Sequence, residues 1–382
     1  MEITVDRLEL LSAVQDVERI VPVITALEIL RCAYLTTEDG KVTVVGCNQE
    51  ACLERRIAAQ IREEGSIAID ATLLSSMMRT MGGDTVTISR TDTGCASIKG
   101  GTTAYKIPVM DAATYPRMEI PIPEHTVSVT NIPALAKRTV FAVSDEENAL
   151  EMKCVHMTFS ADGFHAVGSD GCRIADAVGD SKAFPDADIL LPASSLEKLA
   201  RLVGSKDTLQ MGISGKSVVF TREDLTFFAR LMEGRFLDTD QIMRCVKPCF
   251  TILTDSEQLR RALSSVRTVS GAQNRFSLTF AGAQLRLCCE SEYGTSAMEL
   301  EVVPLSGTPS GTYWYNAEKL LECLRAQSGS LMVELAQNGM LLLRTDALTC
   351  LQLAVREPRP IQKEVPKERG KKEKAVAGKK AA

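Results

Sequence analysis

Residues Ala166 to Ala177 read AVGSDGCRIADA. An apolar run meets a polar break at Ser169-Asp170-Gly171 and resumes through Ile174 and Ala175. The pattern predicts a strand, a tight bend that needs a flexible glycine, and a second strand. Its surroundings matter more than the bend itself. They recur three times along the chain, and an internal repeat has to be recognised before any single motif is interpreted.

Three strand segments share the pattern: VTVVGCNQEA from Val42, FHAVGSDGCR from Phe164 and LRLCCESEYG from Leu285, with Gly46 and Gly168 122 residues apart. A first helix family comprises DRLELLSAVQDVERI from Asp6, NIPALAKRTVFAV from Asn131 and DSEQLRRALSSVRTV from Asp255. Each opens on Asp or Asn, residues suited to cap a helix N-terminus. Leu10, Leu135 and Leu259 stand 125 and 124 apart. In the second copy Ile132, Leu135, Ala136, Val140 and Val143 share one helical face, and Lys137 points away from it.

A second helix family follows: IDATLLSSMMRTMGG from Ile69, LPASSLEKLARLVGS from Leu191 and YNAEKLLECLRAQSG from Tyr315. Ala71, Ala193 and Ala317 are 122 and 124 apart, and eight residues beyond them stand Arg79, Arg201 and Arg325. On a helical wheel Leu74, Met77, Met78 and Met81 form the buried stripe, with Arg79 about 140° from its centre. One exposed arginine on a helix means little. Three at one register need a common reason.

Further strands follow each second helix: TVTISR, TLQMGI and LMVELA, then the hairpin patterns SVVFTREDLTFFARL and GMLLLRTDALTCLQLAV. DAATYPRM and EGRFLDTD, with Tyr115 and Phe236 121 apart, mark the exits from the first two copies. These signals predict domains at 1–122, 123–248 and 249–356, and a basic tail at 357–382 expected to be disordered. Each domain would hold two helices and about eight strands, an α+β unit with helices on one face of antiparallel sheet.

Composition narrows the class. The 382 residues are 45% hydrophobic and 24% charged, as in globular chains with proper cores. No apolar run approaches the roughly 20 residues of a membrane span, and MEITVDRLELL lacks the basic start of a signal peptide. A cytoplasmic protein without a membrane partner is expected. The 12 cysteines are scattered without a CxxC pair, which favours reduced, buried thiols. The net charge is −5, but residues 357–382 carry +5, so the preceding 356 carry −10. An acidic body argues against a nucleic-acid partner unless its remaining cations are gathered in one place.

The order of these elements resembles the DNA polymerase III beta subunit family, the bacterial sliding clamps. Ser169-Asp170-Gly171-Cys172-Arg173-Ile174-Ala175 resembles the family's T-D-G-H-R-L-A, and Gly234-Arg235-Phe236-Leu237-Asp238 its G-R-F-P-D. Leu353-Ala354-Val355-Arg356 is similar to the closing L-P-V-R, and the likeness spans about residues 1 to 356. The resemblance implies a head-to-tail homodimeric ring with helices lining the hole and sheets outside. Such a ring holds duplex DNA topologically and needs only a modest cationic lining, which attracts phosphate without reading bases. By this resemblance the lining comprises Arg79, Lys137, Arg138, Lys198, Arg201, Arg260, Arg261 and Arg325. An acidic outer body then keeps DNA off the wrong surface.

The resemblance also implies a groove between the second and third domains for short linear motifs. Its donors would be the DNA polymerase III alpha subunit, the clamp loader complex and other clamp-motif proteins. Carried over by position, the groove takes Cys154, Ser169, Gly171, Cys172, Arg173, Ile174, Leu237 and Ile242 from domain two and its exit. Asn316, Lys319, Met340, Leu353, Ala354, Val355 and Arg356 come from domain three. An extended peptide would drop apolar anchors into such a cleft while a few polar groups set its register.

The chain departs from the family pattern in places. Cys172 replaces a histidine, Leu237 and Ala354 replace prolines, Lys319 replaces a tyrosine, and Glu151 stands where a pocket arginine is usual. The loop Val21 to Thr25 lacks the basic residue that some members place against DNA. Around Thr102 to Tyr105 and Gly294 to Ser296 there are no charges to pair across the ring interface.

An enzyme is not expected. His125, His156 and His165 fall in no metal-ligand spacing, and neither a P-loop nor a GxSxG elbow occurs. No cofactor is implied. Cys288 lies in an alternating strand and reads as a buried structural thiol. Two functions from different classes follow: a DNA-encircling processivity factor, or a clamp-fold interaction scaffold poorly retained on DNA.

Overall fold

The computed structural model describes residues 1–91, 94–146, 148–160, 163–180 and 186–357. Most of the basic tail, 358–382, lies outside the described residues. The first copy of the repeat runs through β1 (Glu2–Asp6), α1 (Arg7–Glu18), β2 (Cys32–Glu38), β3 (Lys41–Cys47), β4 (Ala51–Glu63) and β5 (Ser66–Asp70). It continues with α2 (Ala71–Thr80), β6 (Thr85–Thr91), β7 (Cys95–Gly100) and β8 (Thr103–Pro108). The second has β9 (Thr126–Thr130), α3 (Ile132–Thr139), β10 (Cys154–Ser160), β11 (Gly163–Ser169), β12 (Arg173–Gly179) and β13 (Ala187–Pro192). After these come α4 (Ala193–Leu202), β14 (Thr208–Ser214), β15 (Ser217–Arg222) and β16 (Leu225–Arg230).

A short helix, α5 (Thr239–Cys245), joins the second copy to the third and was not foreseen in the sequence. The third copy has β17 (Pro248–Asp255), α6 (Ser256–Val266), β18 (Arg275–Ala281), β19 (Gln284–Ser291), β20 (Gly294–Glu301) and β21 (Val303–Ser306). It ends with β22 (Ser310–Asn316), α7 (Ala317–Arg325), β23 (Ser330–Ala336), β24 (Leu341–Thr345) and β25 (Leu348–Gln352). The α+β pattern holds in all three. No helix among the described residues is long and apolar enough to cross a membrane.

Local chemistry explains the elements. Asp6 caps α1 by accepting from Leu8 N and Glu9 N, and Asp255 caps α6 by accepting from Gln258 N. Asn131 differs: its backbone is left-handed, φ 54°, and its side chain makes no cap bond, with Pro133 in the first turn of α3. Leu74, Met77, Met78 and Met81 are buried as their spacing requires, and so are Leu10, Leu135 and Leu259. Burying each such side chain stabilises by about 1.5–3 kcal/mol. Each pair of helices packs together over the sheet of its own copy. Gly46 and Gly168 allow this close approach. A Cβ at Gly46 would sit 2.5 Å from Val17 Cγ1, and one at Gly168 would strike the Thr139 carbonyl oxygen.

The bend at 170–172 forms as read. Gly171 has φ +77°, Asp170 Oδ1 accepts from Cys172 N and Arg173 N, and the Ser169 hydroxyl donates to Arg173 O. These bonds hold β11 and β12 in register from Ser169–Ile174 to Phe164–Gly179.

The copies are stitched edge to edge. β4 pairs with β16, Ala51 opposite Ala229 through Arg55 opposite Leu225, inside a 12-stranded sheet. β12 pairs with β25 in the same manner, Arg173 opposite Gln352 through Ala177 opposite Leu348, inside a nine-stranded sheet. Each junction has an apolar cluster beside it. The first contains Val45, Cys52, Tyr115, Val219 and Phe228; the second contains Val167, Ile174, Phe236, Leu342 and Leu351. The two exit aromatics play one role. Tyr115 stacks on Tyr34 and Phe236 tilts against His156, with ring centroids 4.9 Å apart in both.

The expectation of uniformly reduced, buried thiols is corrected. Cys47 and Cys52, opposite each other across the β3–β4 turn, form a disulfide. Ten others are free, with Cys172, Cys245 and Cys249 exposed. In β19 it is Cys289 that is fully buried, whereas Cys288 is half-buried.

Candidate functional site

Arg79, Arg201 and Arg325 occupy the last turns of α2, α4 and α7, all exposed. A cation there favours the helix dipole, so the position serves stability as well as any ligand. Arg79 lies 3.7 Å from Glu18 and Arg201 3.9 Å from Glu197, while Arg325 has no ion pair among the described residues. Pairs this loose leave the guanidinium groups open to another anion. Lys137 is exposed on α3 and Arg138 half-buried beside it. Burial lowers the pKa of the Lys198 ammonium, with Glu50 opposing the shift.

Arg260 and Arg261 are placed differently from the other cations. Both grip Glu257, at 2.6 and 2.8 Å, and their hydrogen bonds hold its carboxyl down at about 2. The sequence reading counted two cations here and missed the carboxylate they share. Its i, i+3 and i, i+4 spacing was the available signal.

An opening of about 1140 Å³ lies beside the β12–β25 junction on the side of the helices. Cys154, Cys172, Arg173, Asn316 and Lys319 line it, together with Phe141, Glu318 and Glu322. The apolar cluster of the same junction gathers Cys154 and Ile174 with the half-exposed Ile242, Met340 and Leu353. Leu237 is 40% exposed just ahead of α5. Gly171, Ala354 and Arg356 are exposed, and Val355 bonds back through its N–H to Trp314 O at 2.8 Å. The structure thus brings residues from positions 154 to 353 to one junction.

Arg173 and Lys319 hold the junction together, and Ser169 shapes the bend beside them. The Ser169 hydroxyl is buried and spent inside the bend. Arg173, 5% exposed, donates to Lys319 O at 3.0 Å, to Glu322 Oε2 at 2.6 Å and to Phe141 O. Its Nε lies 3.2 Å from Asp170, and its guanidinium stands over the Phe141 ring. Lys319 Nζ reaches Asp170 Oδ2 at 2.8 Å. Burial alone would lower that ammonium's pKa, but the Asp170 hydrogen bond and charge raise it. Asn316 caps α7 by accepting from Lys319 N. What remains open to a ligand is Cys172, Leu237, Ala354, Arg356 and the flank of the apolar cluster.

Comparison with known proteins decides the family. The family model for the DNA polymerase III beta subunit N-terminal domain matches residues 1–119, and that for its central domain residues 126–238, together over half the chain. The chain belongs to the DNA polymerase III beta subunit family. A beta sliding clamp of Pseudomonas putida is 23% identical over 332 residues, 85% of this chain and 90% of that protein. One from Bacillus subtilis is 23% identical over 256 residues, 64% and 68% of the two chains. The solved sliding clamp of Bacillus subtilis superposes with a TM-score of 0.87 at 21% identity, covering 94% of this chain and all of the other. A Pseudomonas aeruginosa sliding clamp bound to griselimycin superposes at 0.85 and 20% identity, with the same coverage. As a beta subunit the chain is a processivity factor of DNA polymerase, not an enzyme.

Proposed function

We propose that two copies of this chain close head to tail into a ring around duplex DNA. The ring tethers DNA polymerase III through its alpha subunit at the β12–β25 junction, and a clamp loader complex places it on DNA. The carrying observation is the pattern of paired and unpaired edges. Both internal junctions join the fourth strand of one copy of the repeat, β4 or β12, to the final strand of the next, β16 or β25. The same rule applied past the ends of the chain pairs β20 with a β8, and both of these strands lie at open sheet edges. Such a contact is heterologous, and closure leaves neither edge free to grow into a fibre.

The exposed arginines at one register, with Lys137, supply the inward cations, and DNA passes without base readout. Leu237 and the flank of the apolar cluster receive the anchors of a partner's linear motif, exchangeable because only one or two large side chains are buried. The griselimycin complex of a similar clamp supports a ligand-accepting surface on this fold. The reading places the ring in the cytoplasm with the chromosome. Primer extension by DNA polymerase III with its loader tests it. Addition of this chain should lengthen the products of single binding events, and unchanged lengths would reject the role.

A further inference from the structure

The junction that closes the ring can be read from the two inside the chain, because the repeat supplies a counterpart for every residue. The turn between the third and fourth strands is 48–51 in the first copy and 170–173 in the second; the equivalent positions in the third are 291–294, where Ser291 and Gly294 also pair and leave a two-residue tip. The third of these positions is Glu50, Cys172 or Tyr293. At both internal junctions this turn meets the first turn of the next copy's second helix. Glu50 Oε2 lies 3.4 Å from Ser194 Oγ on α4, and Asp170, beside Cys172, takes Lys319 of α7 at 2.8 Å. The counterparts on α2 are Thr72 and Leu73. Tyr293 is 74% exposed and Leu73 43% exposed, two large apolar groups without cover in the single chain.

The charges disappear at the same place. Arg55 holds Asp16 of its own copy at 2.7 Å and reaches across the first junction to Asp224 at 3.0 Å. Their counterparts at the closing junction are Met298, Ser265 and Thr102. Asp170, Arg173, Lys319 and Glu322 form the ionic net of the second, and their counterparts are Ser291, Gly294, Leu73 and Ser76. Each of these seven charged residues is replaced by an uncharged one. The replacements fall on both partners, so none of these seven positions leaves a carboxylate or cation unpaired when the ring closes.

We infer that the closing junction is a lock free of both ionic nets, in which Tyr293 of one copy packs on Leu73 of the next, beside a β20–β8 ladder whose one charged member is Lys106. The register follows from the internal junctions: Gly294 opposite Ile107, Thr295 opposite Lys106, Ser296 opposite Tyr105, Ala297 opposite Ala104 and Met298 opposite Thr103. Association through such a junction draws on apolar burial and backbone pairing, which salt does not screen. This inference rests on the ring reading.

Sedimentation equilibrium of the full chain tests it, at about 50 mM and about 500 mM salt, where the screening length falls severalfold. The wild-type dimer constant should change little, or tighten, between the two. Tyr293→Asp and Leu73→Lys, both at exposed positions, should each weaken the dimer on the order of tenfold or more. Combining them should recover part of the loss at low salt only, since an ion pair would then replace the apolar contact. A dimer indifferent to Tyr293→Asp, or one that falls apart as salt rises, overturns the lock and leaves the ring standing. A chain that stays monomeric at every concentration overturns both.

Discussion

Replacing Arg173 with methionine keeps the apolar stem and removes the guanidinium that holds α7 and the β11–β12 bend together. Its bonds to Glu322, to the Lys319 and Phe141 carbonyls and its contact with Asp170 all disappear. Breaking a buried charged pair typically costs about 3–5 kcal/mol. Here Asp170 keeps Lys319, and Glu322 is about one-third exposed and rehydrates, so the expected loss is near 3 kcal/mol. Trp314 is the single tryptophan, and its β22 leads directly into α7. Urea unfolding followed by its fluorescence therefore reports on the damaged side of the junction. With a slope of about 2–3 kcal/mol per molar urea, the midpoint should fall by about 1–1.5 M. A fall below about 0.3 M would refute the reasoning, because Arg173 would then contribute little to this junction.

Three further outcomes are expected. Leu237→Asp, at an exposed position, should abolish binding of a clamp-motif peptide by fluorescence anisotropy while the unfolding temperature stays unchanged; undiminished affinity rejects the proposed groove. Changing Arg79, Arg201 and Arg325 together to Ala removes six cations per ring. The slope of log affinity against log salt on linear duplex should then decrease by up to about five, and an unaltered slope rejects the cationic lining. His165 Nδ1 bonds Asp176 at 2.9 Å, and that hydrogen bond raises the imidazole pKa against a smaller effect of burial. A raised folded-state value stabilises fully below the unfolded value of about 6.5 and fades as pH rises through the folded value. The unfolding-temperature gap between wild type and His165→Gln should therefore be larger at acid pH than at alkaline pH, and an NMR titration placing His165 below about 6.5 would contradict this.

The triplication was legible because burial imposes strict periods. Leu10, Leu135 and Leu259, or Ala71, Ala193 and Ala317, recur at nearly constant spacing where each copy meets its own sheet. Gly171 was legible for a similar reason, since the bend needs a positive φ. Contacts between copies were not. Arg173 and Glu322 are 149 residues apart, and no local pattern says that one neutralises the other. The resemblance therefore assigned Arg173 to a ligand surface, while the structure spends its donors within the junction. The seven-residue α5 is too short to show a helical period, although Asp238, which caps it, stood in plain view. The Cys47–Cys52 pair was readable in principle, as the two flank a four-residue turn and face each other across it. Scatter along the chain proved a poor guide to proximity.

The account depends on DNA passing through the assembled protein rather than lying against it. Retention on a nicked circular duplex after loading, followed by a single cut that makes the duplex linear, measures this directly. The protein should survive a high-salt wash on the circle and slide off once the ends are free. Loss of the protein from the intact circle in the wash, or continued retention after cutting, would contradict encirclement.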